Sequence, residues 1–401
     1  MLLDALTFQL GYNATLVAVG AALLGMAAGV TGTFLFLRKR ALVSDAMSHA
    51  TLPGIAIAFI VMVMAGGDGR NLIGLLLGSA VSATLGLLAV QWLSSRTRLG
   101  EDAAIGAVLS VFFGFGIVLL TVIQTMSAGR QAGLESFLLG STAGMLYADA
   151  VTIAVGGALA LGLALLLRRP MTMVAFDPGH AATIGIDTRR IDLATMGLVM
   201  AVTVVGLKIV GLIMVIALVI IPPVAARFWS ERSESVALIA GAFGGLAGYL
   251  GAAISASAPA LPTGPIIVLV AFGIFVVSLL VAPARGTVAA WGRARRYHRR
   301  VHLRQGLLAM AQGLPVHEAW TRRLLVAEGL ARADGVATEA GRAKAAQAMR
   351  DERRWAVLRG LPAYEAAASL YDGLRDIETV LTPDQLADID ARMGGVREVR
   401  A

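Results

Sequence analysis

Runs of roughly twenty apolar residues, the length a helix needs to cross a bilayer, recur along the first 284 residues and are broken only by short polar clusters. They predict spanning helices near 12–37, 43–65, 71–93, 103–125, 149–167, 191–206, 208–226, 236–254 and 265–283, a working count of nine. Only Gly206, Leu207 and Lys208 part the sixth from the seventh. That pair is expected to form a short hairpin or a partly re-entrant segment, which leaves eight full spans as the smaller count. The stretch 136–147 is too short to cross and is expected at the outer surface or dipping into it. The opening M-L-L-D-A-L-T-F-Q-L lacks the basic start of a cleavable signal peptide, so 12–37 reads as the first span.

Composition agrees with this pattern. With 57% hydrophobic residues, 15% charged residues and 46 glycines in 401 positions, the chain reads as an all-α polytopic membrane protein whose helices pack closely. There is no cysteine, which excludes disulfides, thiolate metal sites and thiol redox chemistry. Basic residues cluster at Arg38-Lys39-Arg40, at Arg96 with Arg98, at Arg168-Arg169 with Arg189-Arg190, at Arg227 with Arg232, and from Arg285 onward. These clusters fall at the same side of successive spans, so they mark the cytoplasmic loops and put the N-terminus outside.

Past Pro283 the long apolar runs stop. The expected organisation is a transmembrane domain over 1–284, a basic juxtamembrane linker over 285–304 and a small, mainly helical cytoplasmic domain over 305–401. The linker carries seven arginines and no acid, whereas 305–401 carries 13 basic against 14 acidic residues. Arginines beside a cytoplasmic leaflet are drawn to anionic lipid, so membrane is the expected partner of the linker. The near-neutral tail lacks the footprint of a nucleic-acid binder, and nucleic acid is not expected as a partner.

Candidate chemistry concentrates in V-S-D-A-M-S-H-A-T-L-P-G, residues 43–54. On a helix Asp45 and His49 stand one turn apart on the same face. Pro53 has no N–H to offer the His49 carbonyl, so one face presents a carboxylate, an imidazole and a free carbonyl. Such a set suits a divalent cation such as manganese, iron or zinc. Ionisable residues within a span usually face a bundle interior or a water-filled path. The competing reading makes Asp45 an ordinary cap at the start of the second helix.

The run S-D-A-M-S-H-A-T-L-P-G-I-A resembles the signature of bacterial zinc-, manganese- and iron-type ABC-transporter permeases, approximately G-D-A-x-S-H-A-x-L-P-G-V-A. The segments K-I-V-G-L-I-M-V-I-A-L-V-I-I-P-P-V-A-A-R (208–227) and L-P-T-G-P-I-I-V-L (261–269) are similar to later parts of the same family, and the likeness covers about 10–284. Ser44 replaces the usual glycine and adds a hydroxyl beside Asp45. The resemblance implies the ABC importer permease fold in the bacterial inner membrane, working as a homodimer or paired permease. It places Asp45 and His49 on the translocation path near the outer gate or metal site, supported by Ser44, Ser48, Pro53 and Gly54. It also implies an external metal-binding protein as donor. The metal is cargo, and no permanently bound cofactor is expected.

No G-x-x-x-x-G-K-S/T phosphate loop is present, so the chain is not expected to be an enzyme, and the resemblance assigns ATP hydrolysis to a separate cytoplasmic ATPase subunit. The expected contact is A-F-D-P-G-H-A-A-T-I-G-I-D (175–187), which resembles the family's F-D-P-x-x-A-x-x-x-G segment and singles out Phe176, Asp177, Pro178, Ala182 and Gly185. Asp177 followed by Pro178 reads as a helix N-cap and first residue, and Gly185 as a stop. His180 reads as a solvated surface residue, Lys208 as a lysine reaching out from a hairpin tip, and Gln124 carries no assigned role. An alternative function is an ion- or proton-coupled secondary transporter in which Asp45 and His49 relay protons without an ATPase.

The tail from 306 reads as helix interrupted at Ala333-Asp334-Gly335. With A-T-E-A-G-R-x-K-A it resembles the winged-helix module of iron- or manganese-dependent repressors. Where those repressors place metal ligands this chain has Glu352, Ala356 and, after Glu378, Thr379, so most of the ligand set is missing. The tail is expected to serve regulation or assembly.

Overall fold

A computed structural model describes residues 12–67, 69, 71–126, 147–257 and 261–398. Eleven helices form the first part: α1 (Tyr12–Leu37), α2 (Ala41–Met64), α3 (Leu72–Arg96), α4 (Glu101–Thr125), α5 (Tyr147–Leu166), α6 (Arg168–Phe176), α7 (Pro178–Thr183), α8 (Thr188–Val210), α9 (Leu212–Arg227), α10 (Ser233–Ala256) and α11 (Thr263–Val281). The described residues contain no strand, only an isolated antiparallel bridge between Ala331 and Ala337. The expected surface stretch 136–147 lies outside the described residues apart from Tyr147, which opens α5.

Seven described helices are long and apolar enough to cross a membrane, and α5 with α6, joined at a 61° bend, makes an eighth. The seventh expected span, 208–226, is α9 of 16 residues, about 24 Å at helical rise, and is a shorter apolar helix. The break between α8 and α9 falls not at 206–208 but at Gly211, whose φ of +82° and ψ of +167° suit a residue without a side chain. Gly206 instead lies inside α8, where an added Cβ would stand 2.3 Å from Val215 Cγ2. Glycine at 206 thus lets α8 and α9 fold closely together across a one-residue turn, the hairpin alternative of the two expected. Lys208 sits in the last turn of α8.

Two packing groups make up this unit. Helices α1, α5, α8, α9, α10 and α11 enclose a core that includes Leu24, Phe34, Ile153, Val202, Leu218 and Ile267. Helices α2, α3 and α4 enclose two smaller clusters around Phe59 and Met47, joined from α8 by Leu207 and Met196. α8 is therefore the helix shared by both groups. Within each group glycines set the spacing. Across α1 and α10, Cβ atoms added at Gly25 and Gly244 would meet each other's carbonyl oxygens at 2.1 and 2.0 Å. Across α2 and α3, Gly54 and Gly78 are related in the same way, at 2.0 and 2.4 Å. Small residues let helices in lipid gain packing contacts where no hydrophobic force drives them together.

Ion pairs connect the arginine-bearing loops. Arg38 and Arg40 both bond Asp192, Arg40 also reaches Glu101, Arg168 pairs with Glu234 and Arg285 with Glu231. The start of α2, the start of α4, the α5–α6 bend, the start of α8, the α9–α10 loop and the segment after α11 accordingly share one end of the bundle.

The chain divides into two compact units, 1–289 and 290–401. The second begins in α12 (Thr287–Ala311), which takes in most of the expected 285–304 linker as helix. It continues through α13 (Ala319–Ala327), the 331–337 bridge, α14 (Glu339–Arg359), α15 (Glu365–Ala368) and α16 (Pro383–Glu398). The helical pattern is thus interrupted twice, at 312–318, where Gly313 has φ +71°, and again around Gly335. Gly306 of α12 packs on Thr321 and Leu325 of α13, and Trp355 of α14 centres a second cluster with Leu358, Ile377, Leu381 and Ile389. Glu352 is committed to this unit. Burial works to raise it, but hydrogen bonds from Tyr371 and Arg304 outweigh burial and hold it below the ordinary carboxylate range.

The glycine contacts yield a direct comparison. Gly244→Leu forces a side chain into the Gly25 carbonyl and should cost about 1–3 kcal/mol or more, read as a lower thermal transition of the detergent-purified chain. Gly273→Ala, where nothing lies within 4 Å, should leave the transition unchanged.

Candidate functional site

α2 starts at Ala41 with Arg40 in the capping position, and its first turn holds no acid. Asp45 is the fifth helical residue, beyond the reach of a capping role, so the ordinary-cap reading does not hold. Along a 24-residue helix about 36 Å long, Asp45 and His49 lie about 6 and 12 Å from the start. They are in the half nearer Arg38 and Arg40 and the linked arginine loops.

The two side chains share one face. His49 Nε2 stands 3.4 Å from Asp45 Oδ1, longer than an ordinary N–H···O bond. Two donors each about 2.1 Å from one tetrahedral cation would be about 3.4 Å apart, so the spacing suits a shared ion as well as it suits a direct pair. Among the described residues no third His, Asp or Glu joins them in a cluster able to hold a metal. Two donors are half of a tetrahedral set.

The surroundings favour a partner from outside the chain. Asp45 is 37% and His49 19% exposed at the side chain, on an outward stripe that begins with exposed Leu42. Phe113 of α4 meets the imidazole edge-on with ring centres 5.0 Å apart. His49 Nδ1 is buried and finds no hydrogen-bond partner among the described residues, which leaves the imidazole able to turn without breaking a bond on that side.

Ser44 and Ser48 occupy the neighbouring, inward face. Both are fully buried, and their hydroxyls donate to the carbonyls of Ala41 and Ser44 within α2. They seat the helix and do not extend the donor set. Pro53 and Gly54 are buried as well. Gly116 of α4 comes so close that its Cβ would meet Leu52 Cβ at 2.6 Å and Pro53 Cδ at 3.3 Å, while Gly54 abuts Gly78. Gly54 thus fixes the far side of α2 against α3, while α4 runs beside the face that bears Asp45 and His49, with Phe113 at His49 and Gly116 at Leu52 and Pro53.

The second expected site forms as an exposed knuckle. Asp177 accepts a hydrogen bond from the His180 amide at 2.8 Å and Pro178 takes the first helical position of α7. Gly185, with φ +85°, ends the turn through bonds from its own amide and that of Ile186 back to Ala182 and Ala181. Phe176, Pro178, His180, Ala182 and Ile184 are exposed, with two large apolar side chains among them, and Ala181 alone is buried beneath. Gln124 is exposed and lies apart from both sites.

Sequence reasoning passed over Asp192 and Glu101, the acids that gather Arg38 and Arg40. Each stands near the start of an apolar run, but nothing local signals a partner up to 154 positions away.

Comparison with known proteins follows this geometry. Residues 12–282 match the model of the ABC 3 transport family. The chain is 39% identical over 308 residues to the manganese transport system membrane protein MntC of Bacillus subtilis, covering 77% of this chain and 70% of that protein. It is 37% identical over 285 residues to the zinc transport system membrane protein TroC of Treponema pallidum, covering 71% and 94%. Among solved structures, PsaBC from Streptococcus pneumoniae in complex with Fab aligns with a TM-score of 0.61 at 26% identity, over 71% of this chain and 98% of that one.

The cap at α7 is open to test. Asp177→Ala removes a capping acceptor and should cost the segment about 0.5–2 kcal/mol, read as faster amide hydrogen exchange confined to 178–186.

Proposed function

The chain belongs to the ABC 3 transport family, and from that premise we propose that it is the permease subunit of an ATP-driven importer of a divalent metal ion, manganese or zinc. The observation that carries the reading is the Asp45–His49 pair, open to the outside of a single chain and provided with only half a ligand set. Two copies arranged about a two-fold axis would bring two carboxylates and two imidazoles to a shared centre and complete four donors from α2 alone.

The manganese and zinc named for the relatives agree with a carboxylate and imidazole set that contains no sulfur. The donors are few and the imidazole is loosely held, which suits a path that must release its cargo. The exposed knuckle Phe176–Gly185 serves as the contact for a separate ATPase, its two apolar side chains presented on a capped helix. An external binding protein supplies the metal at the opposite mouth. Gathering the arginine-bearing loops at one end is the arrangement expected of a cytoplasmic face and supports a reading with the N-terminus outside and the second unit inside. That unit acts in regulation or assembly.

Uptake tests the reading. In cells carrying the whole transporter, Asp45→Asn and His49→Ala should abolish accumulation of radioactive manganese or zinc while the chain still inserts at normal levels. Full uptake by both variants would refute the role, and parental uptake persisting without the ATPase subunit would favour a secondary transporter.

A further inference from the structure

Arg38, Asp192, Arg40 and Glu101 form a neutral quartet that the transport reading leaves without a task. The Arg38 guanidinium forks onto Asp192, Nε to Oδ1 at 3.0 Å and Nη2 to Oδ2 at 2.8 Å, and its remaining Nη1 donates to the Val174 carbonyl at 2.9 Å. Arg40 Nη1 donates to the same Asp192 Oδ2 at 3.1 Å, and Arg40 Nε lies 2.7 Å from Glu101 Oε1. Between the two arginines Lys39 takes φ +60°, a left-handed conformation that a non-glycine residue adopts at a cost. That turn aims both guanidinium groups at one carboxylate.

The places these residues occupy matter more than the pairing itself. Val174 lies in α6, two positions before Phe176 and the exposed knuckle. Arg40 is the capping residue of α2, five positions before Asp45. Asp192 belongs to α8, the helix common to both packing groups. One bonded chain therefore runs from the knuckle through Val174, Arg38 and Asp192 to Arg40 and the helix that carries Asp45 and His49. Apart from their connecting turn, α1 and α2 touch little, so a push on α6 has no comparable polar route to α2 among the described residues.

An arginine that only anchors a helix end to lipid headgroups would hold its guanidinium in water or phosphate. Arg38 and Asp192 are instead 20% and 15% exposed and bonded to each other in a bidentate fork. A planar fork resists shear in two directions, so displacement of one element is passed to the next as a rigid-body movement.

We propose that this quartet is the transmission joint of the transporter, carrying movement of the ATPase-facing segment to the metal-bearing helix, with Arg38 and Asp192 as positioning residues. The inference rests on the transport reading above. The metal does not touch the quartet, so its loss should uncouple the cycle rather than empty the site.

The test uses the complete transporter in proteoliposomes, with ATP hydrolysis and manganese uptake measured together. Asp192→Asn keeps shape and one acceptor but loses the charge, and it should lower manganese moved per ATP by about 2- to 30-fold while ATP turnover stays close to the parent. Asp192→Glu should recover part of the ratio. An unchanged ratio in Asp192→Asn would overturn the joint, as would uptake and turnover falling together in step with a lower thermal transition, since that marks a static brace. Asp45→Asn in the same vesicles separates the two levels. If the parent shows no ATP-driven uptake, the transport reading fails and the joint falls with it, and if the parent couples but Asp45→Asn and His49→Ala both transport like it, the metal-bearing role of α2 fails and the joint loses its destination. If the parent couples and Asp45→Asn does not, an unchanged ratio in Asp192→Asn removes the joint alone.

Discussion

A carboxylate and an imidazole on an otherwise apolar helix call for partners, because ionisable residues within spans usually pair with one another or line a water-filled path. The described chain gives Asp45 and His49 only each other. The packing of α2 keeps that pair partly open while burying its neighbours Ser44, Ala46, Met47, Ser48 and Ala50. Gly54 against Gly78 closes the opposite side to backbone contact, Gly116 of α4 closes on Leu52 and Pro53 one turn past His49 on the pair's own side, and the hydroxyls of Ser44 and Ser48 are consumed within the helix. What is left outward is the pair and its apolar neighbours.

The same economy governs the arginine-bearing end. Within that end Arg38, Arg40, Arg168 and Arg285 are answered by acids from other loops, and the resulting pairs gather the starts of α2, α4 and α8 and the α5–α6 bend at a single face. This face also carries the knuckle ending at Gly185. A permease driven from one side needs its metal-bearing helix mechanically connected to that side, and α2 begins there.

How far the sequence exposed this depended on the range of the interaction. The one-turn spacing of Asp45 and His49, the Asp177-Pro178 cap and the Gly185 stop are local, and each could be read from a few neighbouring residues. The α8–α9 boundary was misplaced by a few positions because Gly206 and Gly211 are the same residue type with opposite tasks, one allowing close packing and the other a positive φ; only the fold tells them apart. The bend after Leu166 has a local mark in Pro170, which has no N–H for the Leu166 carbonyl four residues back. Asp192 and Glu101 look like ordinary helix-start acids, and their pairing with Arg38 and Arg40 spans distances along the chain over which a single sequence carries no signal. The depth of the pair within the span follows from where α2 begins relative to the arginine loops, which the motif does not contain.

The central claim is that the open side of Asp45 and His49 faces a second copy of the chain. The absence of cysteine makes this directly measurable. Leu42→Cys places a single thiol on the same stripe, three residues before Asp45, and a short bis-maleimide applied to native membranes should convert most of the chain to a covalent dimer. Leu238→Cys, exposed on α10, should remain monomeric. If the thiol at position 42 is fully modified by a monofunctional maleimide yet yields no dimer, the pair does not lie between two subunits and the account is wrong.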